Sequence, residues 1–219
     1  MIGPASIQFF SGLETSEIDI VLAEGVRRKF QKPEIISRAD EPAASLFLIK
    51  LGSINLYTAT DDGEQILLRR LVPGDIFGVA SLLSEPTSYL GTTQAVNRVE
   101  ILAWDHRSIR RLARTYPRLA ENALRTALRY VALYAKRHIR LVSNTAQERL
   151  ACVLTSVGSR AGRVCPTGIE VDIKNEELAS LADVNFFTAS RLLKNWERKG
   201  LVEKSRGRVL IRCPEKLVA

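Results

Sequence analysis

The feature that most constrains this chain is a long run, residues 118–144, that contains neither glycine nor proline. Pro117 stands directly before it, and proline suits the first turn of a helix. The run is much longer than a strand of a globular domain, so it predicts one long helix over residues 117–144. The chain is thereby divided into three parts, 1–116, 117–144 and 145–219.

Apolar residues recur along this helix at alternating steps of four and three, which is typical of a coiled-coil seam. The predicted seam consists of Ala120, Leu124, Ala127, Val131, Tyr134, His138 and Leu141. Further apolar side chains lie beside the seam, and we expect them to rest on the N-terminal part: Leu128, Ala135, Ile139 and Val142. A helix with apolar surface on two sides is deeply buried or shared between partners. The pattern therefore predicts a homodimer paired along this helix.

The N-terminal part alternates short strand-like runs with turn residues. The runs are rich in β-branched, aromatic and leucine residues, and they cover 26–30, 45–50, 53–59, 64–71 and 99–105. Asp62-Gly63 between two of them is a hairpin signal, because glycine adopts the positive φ that such turns require. Many short strands at this spacing predict a β-sandwich or barrel, preceded by a short helix within residues 13–25.

The C-terminal part contains two short predicted helices joined by a tight turn at residues 182–184. Asn185 suits the N-cap of the second helix, in which one face is apolar and is expected to face the core: Ala189, Leu192, Leu193 and Trp196. Arg206-Gly207 then lies between two short strand-like runs and predicts a two-stranded wing. This division predicts a winged helix–turn–helix, in which one helix face is anchored and the other enters the major groove.

Charge is distributed unevenly along the chain. Residues 1–104 carry 9 basic and 13 acidic side chains, residues 105–144 carry 10 and 2, and residues 145–219 carry 13 and 9. A basic back half indicates a polyanionic partner, and we expect double-stranded DNA.

The predicted DNA interface consists of Asn185, Phe186, Phe187, Thr188, Ser190, Arg191, Lys194, Arg206 and Arg208. Arg191 is the candidate for base reading, through paired donors to guanine O6 and N7. Lys194, Arg206 and Arg208 are expected to neutralise phosphates. Two such helices in a dimer should lie about 34 Å apart and read a near-palindromic operator.

This order of parts resembles the cyclic-AMP receptor protein/fumarate–nitrate reductase regulator (CRP/FNR) family of bacterial transcription factors. The resemblance rests on Leu51–Ile54, Pro73–Gly78, Thr188–Leu193 and Lys199–Val202, and it covers nearly the whole chain. It implies an α+β fold with an N-terminal β-roll (a cyclic-nucleotide-binding-like jelly roll), a long dimerisation helix and a C-terminal winged helix–turn–helix. It also implies a homodimeric, sequence-specific regulator that acts through RNA polymerase.

Loop 77–96 departs from the nucleotide-binding members of this family. Its only charged side chain is Glu85. By the resemblance, Val79 stands where those members carry the glutamate that holds the ribose, and Tyr89-Leu90 stand where they carry Arg-Ser on the phosphate. With Tyr134 in place of a small hydroxyl residue, the predicted effector pocket, Val79, Tyr89, Leu90 and Tyr134, is apolar. An unpaired buried phosphate costs several kcal/mol, so we expect neither cyclic AMP nor cyclic GMP as effector. The alternatives are an unidentified effector and none at all.

The recognition helix departs as well, because Phe186-Phe187 occupy positions where relatives usually carry a polar pair. We expect one ring to pack against the preceding helix and the other to contact a thymine methyl. Ser190-Arg191 match the Ser-Arg pair of the fumarate–nitrate branch.

No cofactor is expected. Cys152, Cys165 and Cys213 are too scattered for a zinc knot or an iron–sulfur cluster. Neither His106 nor His138 stands where the haem-binding relatives place their axial ligands.

Other protein classes fit less well. Neither a Ser–His–Asp set nor a glycine-rich nucleotide loop is visible, so we expect no enzyme. A ligand-binding regulatory module without DNA binding stays open as an alternative. The chain lacks an apolar run of about 18 residues and the pattern of a signal peptide, which predicts no membrane association and a cytoplasmic protein. The operator, the effector, the regulated genes, the sign of regulation and any role of the cysteines are left open.

Overall fold

The computed structural model describes residues 7–60, 62–63 and 65–217. These residues fall into two units: the first holds the described residues of Met1–Gln65 and Arg70–Tyr134, and the second holds Ile66–Arg69 and those of Ala135–Ala219. Asp61 and Glu64 of the predicted hairpin lie outside the described residues, as do residues 1–6 of the segment considered as a signal peptide.

The N-terminal elements form two four-stranded sheets with a helix at each end. In chain order they are α1 (Thr15–Ala23), β1 (Val26–Phe30), β2 (Ile35–Ser37), β3 (Ser45–Leu51), β4 (Ile54–Ala59), β5 (Gln65–Leu71), β6 (Ile76–Phe77), β7 (Thr92–Ala95), β8 (Val99–Asp105) and α2 (His106–Thr115). The sheet orders are β1-β8-β3-β6 and β2-β7-β4-β5, with antiparallel pairs such as β3 with β8 and β4 with β7. This is the predicted β-roll.

The sequence of strand β3 is a nearly continuous apolar run, rather than an alternating one, because both faces of the strand are buried. Leu46 and Leu48 belong to one buried cluster, together with Trp104, whose indole N–H donates to the Val21 carbonyl at 2.8 Å. Phe47 and Ile49 point the other way, into a second buried cluster. A strand that buries both faces needs apolar residues at every position.

Helix α2 was not predicted from the sequence. Asp105 caps it, since its Oδ1 accepts from the backbone N–H of Ser108 at 2.8 Å. Ile109 and Leu112 are the buried residues of its inner face. Four of its ten residues are arginines, so the apolar pattern of this helix is short.

The predicted long helix is α3 (Arg118–Ser143). Within the first unit, its buried face carries Leu119, Asn122, Ala123 and Thr126. The Asn122 side-chain amide donates to the backbone carbonyls of Phe9 at 3.0 Å and Ser11 at 2.8 Å. The expectation that Leu128 rests on the strand-rich part was wrong, because its side chain is exposed. Ala135, Ile139 and Val142 belong to the second unit and are exposed as well. The buried face of α3 includes an asparagine and a threonine, which a search for apolar residues alone does not find.

The second unit contains α4 (Ala146–Ala161), β9 (Arg163–Cys165), β10 (Gly168–Asp172), α5 (Asn175–Leu181), α6 (Phe186–Arg198), β11 (Val202–Ser205), β12 (Arg208–Ile211) and α7 (Pro214–Leu217). Its sheet has the order β11-β12-β10-β9, and its core includes Leu154, Leu178, Leu193, Trp196 and Ile211. The predicted α+β class, with a β-roll, a long helix and a winged helix–turn–helix, is confirmed. No helix in the described part of the chain has both the length and the hydropathy needed to cross a membrane.

Candidate nucleic-acid interface

Two helices and the turn between them form the core of the predicted interface. Helix α5 ends at Leu181, and α6 begins at Phe186 after a turn in which Asp183 has a positive φ of 52°. Asn185 is the N-cap of α6, because its Oδ1 accepts from the backbone N–H of Thr188 at 2.7 Å. A side-chain acceptor at this position satisfies one of the unpaired N–H groups of the first turn.

Helix α6 is divided into an anchored face and an open face. Ala189, Leu193 and Trp196 are buried in the core of the second unit. Arg191 and Lys194 are exposed, and the Phe187 side chain is 81% exposed. The open face therefore presents an aromatic ring beside two cations, which is unusual for a surface that stays in water.

The first turn of α6 contains the remaining predicted base-reading residues. The Phe186 and Phe187 rings meet edge to face with their centroids 5.8 Å apart, and both rings are exposed. Thr188 and Ser190 are half-buried. Ser190 Oγ lies 3.3 Å from the Asn175 side-chain amide, which donates to it. This hydroxyl is thus oriented by α5.

The wing is the hairpin of β11 and β12, with Gly207 at φ 75° in its turn. Arg206 is exposed at the tip. Arg208 forms ion pairs with Asp172 at 3.0 Å and Glu170 at 3.5 Å on the neighbouring β10. The two arginines therefore differ in electrostatic environment, which their sequence positions do not indicate.

Two functional candidates were missed by the sequence analysis: Arg137 and Arg149, which bind the turn between α5 and α6. Arg137 pairs with Asp183, and Arg149 donates to the backbone carbonyls of Ala182 and Asp183. The sequence feature that could have pointed to these two arginines is Asp183, an acidic residue at the centre of a predicted turn in a basic region.

Loop 77–96 begins with a tight turn, and Glu85 is its only charged side chain. Gly78 has φ 77°, and a Cβ at this position would lie 2.3 Å from the Ser45 carbonyl oxygen, so no other residue fits. A short 3-10 helix, Val79–Leu82, follows. The Ser81 hydroxyl donates to the Gly78 carbonyl at 2.8 Å, and His106 Nδ1 donates to the Ser81 carbonyl at 2.7 Å.

Tyr89 closes this loop onto β3. Its hydroxyl accepts from the Ser45 backbone N–H at 3.0 Å and donates to the Ser45 carbonyl at 3.3 Å. Burial of the phenol is the largest influence on its pKa and raises that pKa above the ordinary value of 10.0. The Tyr89 ring also lies 6.3 Å from the Phe47 ring, between centroids.

The four predicted pocket residues have different surroundings. Val79 packs against the cluster that contains Trp104, whereas Tyr89 packs against the cluster that contains Phe47 and Phe77. Leu90 is exposed and Tyr134 is half-buried.

The predicted dimer seam runs along α3 and is largely open in the single chain. The Leu124 and Val131 side chains are 60% and 65% exposed. Ala120, His138 and Leu141 are also exposed, while Ala127 and Tyr134 are half-buried.

Metal ligands do not cluster in the described residues: no group of three or more His, Cys, Asp or Glu side chains is suited to hold an ion there. Cys152, Cys165 and Cys213 are half-buried free thiols.

Two family models match the chain. The cyclic nucleotide-binding domain matches residues 27–116, and the Crp-like helix-turn-helix domain matches residues 148–219. The chain is 30% identical over 210 residues to the cyclic AMP receptor protein of Thermus thermophilus, covering 93% of this chain and 91% of that one. It is 23% identical over 192 residues to electron transport regulator A of Shewanella oneidensis, covering 87% and 75% of the two chains.

Among solved structures, the c-di-GMP responsive global regulator CLP of Xanthomonas campestris has the same fold. The TM-score is 0.77 at 20% identity, over 90% of this chain and 99% of that chain. Together with the winged helix–turn–helix and its open basic face, these matches lead to one conclusion: the chain is a DNA-binding transcriptional regulator of the CRP/FNR family.

Proposed function

We propose that the chain acts as a homodimer that reads a near-palindromic operator through two copies of α6, without using cyclic AMP as effector. The proposal assigns residues 1–116 to an effector-binding-like β-roll, 117–144 to a dimerisation helix and hinge, and 145–219 to the DNA-binding domain. Membership in a family of transcriptional regulators supports a cytoplasmic location and RNA polymerase as partner. The match of residues 148–219 to a Crp-like helix-turn-helix disfavours a ligand-binding module without DNA binding.

The support for a dimer is an apolar stripe on α3 that the single chain leaves open. At about 100° per residue, the seam positions Leu124 and Val131 lie on the side of the helix opposite the buried residues Asn122 and Thr126. An exposed helix stripe with heptad spacing is suited to pair with a second copy of itself. The inner face of α3 is therefore packed within its own chain, and the outer face is available to a partner.

Val131→Glu tests the dimer. We expect sedimentation to show a shift from dimer to monomer, because two carboxylates would face each other across the seam. Ala132→Glu is the matched control, since it adds the same charge at an exposed position outside the seam. Equal mass for wild type and Val131→Glu at micromolar concentration would contradict pairing along this stripe.

The open face of α6 is the single observation that carries the proposed DNA reading. Phe187, Arg191 and Lys194 are exposed together, while the opposite face is fixed in the core. Arg191 presents five donors in a fork that matches guanine O6 and N7, and Lys194 provides a point charge for phosphate. Arg206 at the tip of the wing provides a second phosphate contact.

Selection of duplexes from a random pool by the wild-type protein, followed by anisotropy titration, tests the reading. Arg191→Ala should lose about 1–3 kcal/mol of discrimination at one base pair of the selected half-site. Arg198→Ala, an exposed arginine in the last turn of the same helix, is the matched control for the loss of charge. If Arg191→Ala weakens binding to every duplex equally, Arg191 is a phosphate contact only.

The case against cyclic AMP rests on the chemistry of loop 77–96. Gly78 and the following 3-10 helix keep a backbone that could surround an anion, but Glu85 is the only charged side chain in the loop. The Tyr89 hydroxyl is already bonded to Ser45. A desolvated phosphate here would find no cation within the loop itself, and Arg110 of α2, an arginine bonded to the loop, donates to the Ser84 carbonyl at 3.2 Å. An unpaired phosphate costs several kcal/mol. An apolar or aromatic effector near Val79, Tyr89, Leu90 and Tyr134, or regulation by protein level alone, fits this loop better.

A further inference from the structure

The turn between α5 and α6 is held in an unusual backbone conformation. Asp183 has φ 52°, a left-handed value that few residues other than glycine adopt, although aspartate tolerates it better than most. The Asp183 N–H donates to the Ser180 carbonyl at 3.3 Å, and the Val184 N–H donates to the Ala179 carbonyl at 3.0 Å. Asn185, the N-cap of α6, follows two residues after Asp183. Any movement of this turn is therefore passed directly to the start of α6.

Two arginines from outside the helix–turn–helix bind this turn. Arg137, in the C-terminal half of α3, donates from Nε to Asp183 Oδ2 at 2.6 Å and from Nη2 to Asp183 Oδ1 at 2.5 Å. The same Nη2 donates to the Ser180 carbonyl at 2.8 Å. Arg149, in α4, donates from Nε to the Ala182 carbonyl at 3.0 Å and from Nη2 to the Asp183 carbonyl at 3.1 Å. We call Arg137, Arg149 and the turn residues Ala182 and Asp183 the turn clamp.

The Arg137–Asp183 pair is more than an ordinary surface ion pair. The two side chains are only 21% and 26% exposed, and the guanidinium meets the carboxylate with two parallel bonds. Exposed single-point pairs contribute little, but bidentate, partly buried pairs are strong and fix direction as well as distance. Arg137 thus fixes both the position and the orientation of the Asp183 carboxylate.

We propose that Arg137 is a positioning residue for DNA recognition: through Asp183 it holds the base-reading end of α6 in a defined place relative to the C-terminal half of α3. This inference rests on the proposed function of α6. Arg137 lies in the C-terminal half of α3, directly before the seam residue His138 in the chain, so the turn clamp is tied to the helix that would pair in a dimer. The same contact therefore gives α3 a physical route by which to alter DNA affinity.

Opposite charge changes at the two partners separate positioning from general electrostatics. Arg137→Gln removes a positive charge, and Asp183→Asn removes a negative charge. If only net charge mattered, the first variant would weaken DNA binding and the second would strengthen it. Positioning predicts that both variants weaken binding to the selected duplex, by about tenfold each, within the range typical of coupling between sites. Arg140→Gln, at an exposed arginine of the same helix, is the control and should lose less than about threefold.

The Arg137→Gln/Asp183→Asn double variant should lose no more than about the single variants do, because both remove one contact. Discrimination between the selected duplex and a duplex with one base pair changed should also fall, which a purely structural loss of stability would not produce. Arg137→Lys keeps the charge and the fold but not the paired bonds, and should lose most of the same affinity. The proposal is overturned if Asp183→Asn strengthens binding, if Arg137→Gln equals Arg140→Gln, or if the two losses multiply.

Hydrogen exchange gives a readout that needs no DNA. Exchange at the Asp183 and Val184 amides should be faster in Arg137→Gln and Asp183→Asn than in Arg140→Gln, at a temperature where circular dichroism shows all variants folded. Unchanged exchange there would refute the turn clamp itself. If the wild type selects no duplex while exchange responds as expected, the proposed function fails and the turn clamp stands. If the wild type binds its duplex and the clamp variants bind as Arg140→Gln does, the positioning role fails and the proposed function stands.

Discussion

Replacement of single thymines by deoxyuridine in the selected duplex would show whether Phe187 reads a methyl group. The Phe187 ring is 81% exposed in the first turn of α6, so nearly all of its surface is free to meet a base edge. Deoxyuridine pairs as thymine does but lacks the C5-methyl group in the major groove. Removal of one buried methyl costs about 0.8 kcal/mol, so the dissociation constant should rise about fourfold at one thymine of each half-site.

A double-mutant cycle with Phe187→Ala assigns the effect to the ring. In that variant the same deoxyuridine should cost less than about 1.5-fold, because the apolar partner of the methyl is already gone. Phe187→Leu, which keeps apolar surface, should retain a large part of the effect. The thermal midpoint should be unchanged in both variants, since the ring is exposed. The reasoning is refuted if no thymine responds, or if the response persists in Phe187→Ala.

Three further measurements test other parts of the molecule. Addition of 1 mM cyclic AMP should leave the thermal midpoint unchanged within about 1 °C, because loop 77–96 lacks a cation for the phosphate; a saturable rise would contradict this. Arg206→Ala should reduce the salt dependence of DNA binding by about one phosphate contact, and Arg208→Ala by less, because Arg208 already pairs with Asp172 and Glu170; equal losses would contradict the assignment. The hydrogen bond from the Ser108 backbone N–H is the largest influence on the pKa of the Asp105 carboxylate and lowers it. The stabilisation by this cap is therefore present above the pKa of the unfolded state and is lost as pH falls through the lower pKa of the folded state. Asp105→Ala should therefore cost about 1 kcal/mol of unfolding free energy at neutral pH and much less near pH 2, as measured by urea titration; an equal cost at both pH values would show that the carboxylate charge is not what stabilises the cap.

Local sequence patterns predicted the elements whose signals are local. The run of residues 99–105 coincides with β8, and the turn predicted at residues 182–184 lies between α5 and α6. The N-cap at Asn185 was also predicted, because a capping side chain bonds to a backbone group only three residues away. Such signals do not depend on the rest of the chain.

Interactions between distant segments were not predictable in the same way. Asn122 and Thr126 read as a break in an apolar pattern, yet they are buried, because Asn122 bonds to Phe9 and Ser11 and Thr126 bonds back to the Asn122 carbonyl. Arg137 and Asp183 are 46 residues apart, and neither has a sequence feature that names its partner. A single sequence does not indicate which of its distant residues bond to each other.

The two bonds from Tyr89 to Ser45 have a consequence for how this regulator is built. A loop that is fastened to the sheet by its own side chain does not depend on a bound molecule for its order. We therefore expect its resistance to proteolysis to be the same in freshly purified protein and in protein dialysed exhaustively. Tyr89→Phe keeps the ring and the backbone bonds of Tyr89 to Asp40 and Glu41 but removes both hydroxyl bonds, so we expect proteases to cleave the loop faster than in the wild type. A small molecule that packs against the ring should then slow this cleavage.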